Sequence, residues 1–144
     1  MDDEALACLQ IIASESRQRI LEWLDKGVDH PEDLAKRLKL RRQGVDKHLL
    51  ELYESGFVDR SAVLSANGRP RIVYRLSERG RDLLGRMGTL VKEFYESFRA
   101  DCQRSLAMLE DKLAAGELDE DAYLRQRQAI EKRYARFLPE TDAK

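Results

Sequence analysis

The chain has 144 residues, enough for one compact domain with an appendage or with long helices, and 42% of them are apolar, enough for a core. Charged residues make up 37%, which fits helices with broad solvated faces, and no apolar run approaches the ~20 residues of a membrane span. The acidic start Met1-Asp2-Asp3-Glu4 is no secretory signal, and two cysteines, Cys8 and Cys102, without a Cys-x-x-Cys motif imply a reduced, cytoplasmic setting.

A first helix is expected over Asp3 to Ala13, with Leu6, Leu9 and Ile12 on one side. Ser14 is placed to cap a second helix, Glu15 to Lys26, in which Ile20, Leu21, Trp23 and Leu24 supply core and Gly27 takes the position after the end. His30-Pro31 opens a third helix: proline suits the first turn, Glu32 and Asp33 complement the positive end, and Leu34, Ala35 and Leu38 face inward. Lys39-Leu40 makes a turn. A fourth helix, from about Arg41 to Ser55, has the buried stripe Val45, Leu49 and Leu52 and stops at Gly56.

Two strands follow, Val58 to Ser65 and Arg71 to Leu76, joined by the turn Ala66-Asn67-Gly68-Arg69-Pro70, in which Asn67 and Gly68 both tolerate positive φ. Ile72, Tyr74 and Leu76 alternate with Arg71, Val73 and Arg75, the pattern of a half-buried hairpin. Ser77 to about Ala115 reads as a long helix through Leu83, Met87, Val91, Phe94, Phe98, Cys102, Leu106, Leu109 and Leu113. Its mean apolar step of about 3.75 residues departs from the 3.5 of a left-handed coiled coil, and Gly80, Gly85 and Gly88 weaken its first turns. Gly116 ends it. A last helix runs from Asp119 to Leu138 through Tyr123, Ile130, Tyr134 and Phe137, and Pro139 closes the fold. The fold class is therefore mainly α with a small β-hairpin: a winged helix-turn-helix over residues 1–80 and a helical dimerisation region over 81–144.

The net charge of −1 hides a polarised distribution. From Lys36 to Arg86 there are 13 Lys and Arg against 6 Asp and Glu, a local +7, while the remainder holds 13 against 21, a local −8. A basic middle between acidic ends is an electrostatic footprint for a polyanion. Catalysis has no comparable support: there is no Ser/His/Asp ordering and no Gly-rich phosphate loop, and Glu117, Asp119, Glu120 and Asp121 read as a helix start.

These residues resemble a known family. Ala13 to Leu24 resembles the second helix of ArsR-type winged-helix regulators, and Asp33-Leu34-Ala35-Lys36-Arg37-Leu38 resembles their third. Val45 to Leu52 with Gly56-Phe57-Val58 is similar to their recognition helix and its exit, and Arg71 to Gly80 to their second wing strand and the next helix start. The resemblance covers roughly residues 10 to 85 and implies a dimeric, usually repressing, transcriptional regulator in which His48 is a structural part of its helix. Metal-sensing members carry Cys-x-Cys in the third helix or His and Asp ligands in the last. Here Leu34 to Leu38 has no Cys, and the histidines are His30 and His48 alone, so neither metal nor cofactor is expected.

If the fourth helix enters a major groove, Arg42, Gln43, Asp46 and Lys47 lie on its outward N-terminal face. Arg suits guanine O6 and N7, Gln suits adenine N6 and N7, and Asp accepts from cytosine N4. Arg41, Lys36 and Lys39 are placed for phosphates, and Arg60, Arg69 and Arg71 for the backbone or minor groove beside the wing, 58–76. Gly44 leaves room for close backbone approach. Met87, Val91, Phe94, Phe98, Leu106, Leu109, Ile130 and Phe137 are expected at a homodimer interface, with folding back onto the same chain as the alternative. Cys8 and Cys102 read as inert thiols, or as a redox pair if their helices pack. The expected partners are double-stranded DNA and a second copy of the chain, with no membrane and an unknown small-molecule effector. The other class of function is a winged helix that docks a protein.

Overall fold

A computed structural model describes residues 1–136; Phe137, expected at the dimer interface, and Leu138 and Pro139, expected to end the last helix, lie outside the described residues. The elements are α1 (Asp3–Ile12), α2 (Glu15–Asp25), α3 (Pro31–Leu38), α4 (Arg42–Glu54), β1 (Val58–Leu64), β2 (Pro70–Leu76), α5 (Glu78–Ala114) and α6 (Glu120–Ala135). Two compact units divide them, Met1–Gly85 and the residues from Arg86 onward.

Capping explains where the helices begin. The Asp2 carboxylate accepts from the Ala5 amide at 2.8 Å, the Ser14 hydroxyl from Arg17 at 3.3 Å, and Asp119 from Ala122 at 2.7 Å. Each such cap stabilises its helix by about 1 kcal/mol. At α3 the cap is His30, whose Nδ1 accepts from the Glu32 amide at 3.2 Å, with Pro31 next in the first turn. The sequence signal there was the proline; the imidazole cap went unread because histidine is an uncommon N-cap.

The core of the first unit lies where α2, α3 and α4 meet. Ile20, Leu34, Val45, Leu49 and Leu52 have no exposed surface, and Phe57, Val58, Tyr74 and Leu76 close it from the hairpin side. The hairpin is antiparallel, with Val58 opposite Leu76 and Leu64 opposite Pro70. The Tyr74 amide donates to the Asp29 carbonyl at 2.9 Å, which ties β2 to the loop between α2 and α3. Only the hairpin's base is buried. Ile72, expected to face inward, is 51% exposed because it lies beyond the reach of the helices.

The corner from β2 into α5 is the tightest place in this unit. Ser77 is buried; its hydroxyl lies 2.7 Å from the Gly56 carbonyl and 3.0 Å from that of Phe57, and accepts from the Gly80 amide at 3.0 Å. A Cβ on Gly80 would sit 2.7 Å from the Phe57 carbonyl oxygen and 2.9 Å from the Ser77 hydroxyl. Gly80 thus permits a close approach of two backbones, a role different from the weak helical turn expected. Gly85 and Gly88 have nothing within 4 Å of such an atom, and α5 runs through both without interruption.

Two other expectations are corrected. Leu6 is exposed, so α1 anchors chiefly through Ile12. Trp23 is half-buried rather than core: the Lys26 ammonium lies 4.8 Å and the Arg37 guanidinium 4.6 Å from its ring centre, so the indole serves as a surface platform for cations.

In the second unit the chain reverses at Gly116, which has φ +76°, and α6 returns along the distal part of α5. The Phe98 and Tyr134 rings meet with centroids 4.4 Å apart, and Tyr134 and Leu109 are buried. Among the described residues, no helix is long and apolar enough to cross a membrane.

Candidate nucleic-acid interface

The turn between α3 and α4 depends on one unusual backbone. Lys39 has φ 56° and ψ 39°, and its amide reaches the Ala35 and Lys36 carbonyls, so the helix ends sharply and the next can cross it. Among non-glycine residues described it alone has positive φ. Left-handed backbone costs a side-chain-bearing residue about 1–2 kcal/mol.

Arg41 occupies the N-cap of α4 and gives no side-chain hydrogen bond there, since a guanidinium has no acceptor atom. The first amides of α4 are therefore left without a side-chain partner, at the end of the helix that carries partial positive charge. Arg41, Arg42, Gln43, Gly44, Asp46 and Lys47 are all exposed, whereas Val45 and Leu49, on the opposite side, have no exposed surface. A Cβ on Gly44 would meet nothing within 4 Å. The protein itself does not need glycine there, although it costs the helix about 1 kcal/mol relative to alanine.

A residue that sequence reasoning missed holds α4 in place. Arg17, its side chain only 16% exposed, donates from Nη1 to the Ile11 carbonyl at 2.8 Å and from Nη2 to Glu51 at 2.6 Å. Its Nε donates to His48 Nδ1 at 3.3 Å. One guanidinium thus ties the end of α1 and the body of α2 to two successive turns of α4. Burial, then the Arg17 charge, lowers the His48 pKa below its ordinary value, with Lys47 adding and Glu51 opposing. Because Nδ1 accepts from Arg17, the imidazole proton belongs on Nε2, which fits the structural role implied by resemblance. The available signal was Arg17 three residues after a cap, a place where a surface arginine is equally ordinary.

The charged candidates differ in how they are held. Arg42 donates from Nε to both Asp46 oxygens, at 3.1 and 3.2 Å, and its Nη1 lies 3.7 Å from Glu32. Arg60 stacks on Tyr53 of α4, 4.0 Å from the ring centre, and Arg71 lies 3.9 Å from Asp29. Lys36, Lys39, Gln43, Lys47 and Arg69 are exposed. At the wing tip the Ser65 amide donates to the Arg69 carbonyl at 2.9 Å, Gly68 takes φ +76°, and the Asn67 side chain accepts from the Arg69 amide at 3.3 Å. The Ser65 hydroxyl also donates to the side-chain amide oxygen of Asn67. Arg69 therefore projects from an ordered turn. The wing bears apolar surface as well, for Leu64 and Ile72 are exposed beside it.

The residues expected at a dimer interface separate into two groups. Val91 and Phe94 lie exposed on α5, Phe94 by 64%, with Leu90, which was not among the expected residues, exposed beside them, and Met87 is half-buried. Leu109 is already buried in the α5–α6 hairpin, and Phe98 is engaged with Tyr134 of its own chain. Folding back has occupied these positions, and Leu106 and Ile130 are half-buried. Leu109 is accordingly corrected from interface to intrachain core. Cys8 and Cys102 are free thiols; burial, then the Glu131 charge, raises the Cys102 pKa, which disfavours its reactive thiolate. Among the described residues no group of three His, Cys, Asp or Glu side chains is placed to hold a metal ion.

No family model and no curated protein matches the chain. Among solved structures it is similar to an ArsR-like transcriptional regulator from Rhodococcus sp. RHA1. The identity is 26%, over 71% of this chain and 92% of that one, with a TM-score of 0.45.

Proposed function

We propose that this protein is a sequence-specific double-stranded DNA-binding transcriptional regulator that acts as a homodimer, in the repressing role its sequence resemblance implies. The observation that carries the reading is the N-terminal face of α4. Arg41, Arg42, Gln43, Asp46 and Lys47 stand exposed on a helix whose other side is fully buried, next to a wing that presents Arg69. Those side chains include the types that read base edges in a major groove, and Lys36, Lys39 and Arg41 sit where phosphates would flank it. The exposed Leu90, Val91 and Phe94 supply an apolar surface for a second copy. A two-fold dimer presents its recognition helices about 34–36 Å apart and reads an inverted repeat.

The experiment is selection of random duplex DNA by the purified protein at near-physiological salt, followed by sequencing. Enrichment of an inverted repeat with half-sites one turn apart is the expected result, with affinity that falls steeply as salt is added. The exposed Leu64 and Ile72 favour a second reading, in which the winged helix docks a protein. Failure to retain any DNA at low salt would transfer the assignment to that class.

A further inference from the structure

The pairing of Arg42 with Asp46 assigns these residues different tasks on the recognition helix. We infer that Asp46 is a positioning residue: it grips Arg42 by Nε so that both terminal nitrogens face a single guanine, and it makes no base contact itself. The inference rests on the DNA-binding reading above and names how one base pair in the site is chosen.

The geometry leads there through the hydrogens of the guanidinium. Nε carries one hydrogen, and it is directed between the two Asp46 oxygens at 3.1 and 3.2 Å. Nη1 and Nη2 carry the other four, in a planar fork whose spacing matches the two acceptors O6 and N7 of guanine. Glu32, at 3.7 Å from Nη1, is well beyond the 2.7–2.9 Å of a charge-assisted hydrogen bond and does not fill the fork. With both oxygens turned to Arg42, Asp46 is a poor acceptor for cytosine N4, the role that residue type alone suggested.

Helix stability does not account for the pair. Both side chains are about half exposed, and an exposed ion pair adds little. Arginine preceding the acid by four residues is the weaker order, and a cation in the first turn opposes the helix dipole. A carboxylate near the phosphates would also repel DNA unless its charge were matched. What the pair does provide is a long side chain fixed in direction before DNA arrives. This removes ordering cost from the bound state and sharpens the choice of base.

The test compares wild type with Arg42→Ala, Asp46→Ala, Asp46→Asn and the double alanine variant, using the same selection and then titration of the selected duplex and its single-base variants. All four changes are on the exposed surface, and circular dichroism establishes that each variant is folded. Wild type should show one guanine preferred by roughly 5- to 150-fold, the range of a bidentate contact. Arg42→Ala should erase that preference. Asp46→Ala and Asp46→Asn should weaken it at the same base pair several-fold and leave every other position unchanged. The double variant should bind at least as well as Arg42→Ala, which leaves a carboxylate unmatched.

Two results would overturn the inference while leaving DNA binding intact. One is that Asp46→Ala relaxes a base pair different from the one Arg42→Ala relaxes, which is direct reading by the carboxylate. The other is that Asp46→Ala leaves the guanine preference unaltered. If wild type enriches no sequence, the DNA-binding reading has failed, and the inference falls with it.

Discussion

Up to Gly85 most of the large apolar side chains converge on one core, whereas from Arg86 onward most of them line helix surfaces. Among the described residues, every buried apolar side chain except Leu109 and Tyr134 belongs to the first unit. In the second, Leu90, Val91, Phe94, Met108 and Leu124 are exposed along helices that would not ordinarily display them. The first unit has four helices and a hairpin to surround a centre. The second has a hairpin of two helices, which can cover only one stripe on each. A helix pair with apolar residues left over has its stability tied to whatever covers them, so the regions should respond differently to the same kind of substitution.

The comparison is broken first at its strongest point. Leu49→Ala removes a side chain with no exposed surface, and should cost about 2–5 kcal/mol and lower the melting temperature of the first unit outright. Met108→Ala, 62% exposed, should stay within about 0.5 kcal/mol. Calorimetry of both variants measures the contrast, and equal losses would refute it.

Next comes the exposed stripe. Val91→Asp together with Phe94→Asp should weaken self-association by at least ~30-fold, the scale of a hot-spot loss of about 2 kcal/mol. Sedimentation over a concentration series reads the shift, and the first unit should melt unchanged. A monomeric wild type would remove the premise. Gly80→Ala should cost about 1–3 kcal/mol, because the backbone atom it meets cannot yield as a flexible side chain would. Gly88→Ala, with open space around it, should be neutral or stabilising, and chemical denaturation distinguishes the two.

The smallest effect concerns pH. His48 has a folded-state pKa below its ordinary 6.5, so the unfolded chain takes up a proton at a higher pH than the folded one. Its contribution is complete above pH 6.5 and declines as the pH falls from there towards the lowered value, below which it changes no further. Denaturation at pH 7.5 and at progressively lower pH should show this slope, and His48→Gln should flatten it. A slope of opposite sign would mean that Glu51, rather than burial and Arg17, governs the imidazole.

Local rules made most of the first unit readable. Pro31, Ser14, Gly56 and Asn67-Gly68 marked the ends of elements because capping and turn chemistry act within a few residues. The stripe Val45, Leu49, Leu52 identified the buried side of α4 because helical period alone decides it. What escaped depended on atoms distant in sequence. Nothing near Gly80 reveals that the Phe57 carbonyl presses against it, and nothing near Arg17 reveals Glu51 across the core. Ile72 and Trp23 were misjudged for a related reason: apolar character indicates what prefers burial, and where the fold runs out of neighbours is a tertiary fact. The proposed interface was legible as residue types, yet the grip of Asp46 on Arg42 required coordinates, since four residues apart on a helix describes both a bridge and two independent charges.

Lys39 gives this chain a handicap as well as a shape. A glycine at that turn would relax the backbone, so every folded molecule carries a standing handicap that a simple replacement would lift. Glycine is the residue such geometry invites. Lysine instead places a charge beside Arg41 and Arg42. Efforts to harden this protein against heat would reach for position 39 early, and would remove one positive charge from the turn in exchange for endurance.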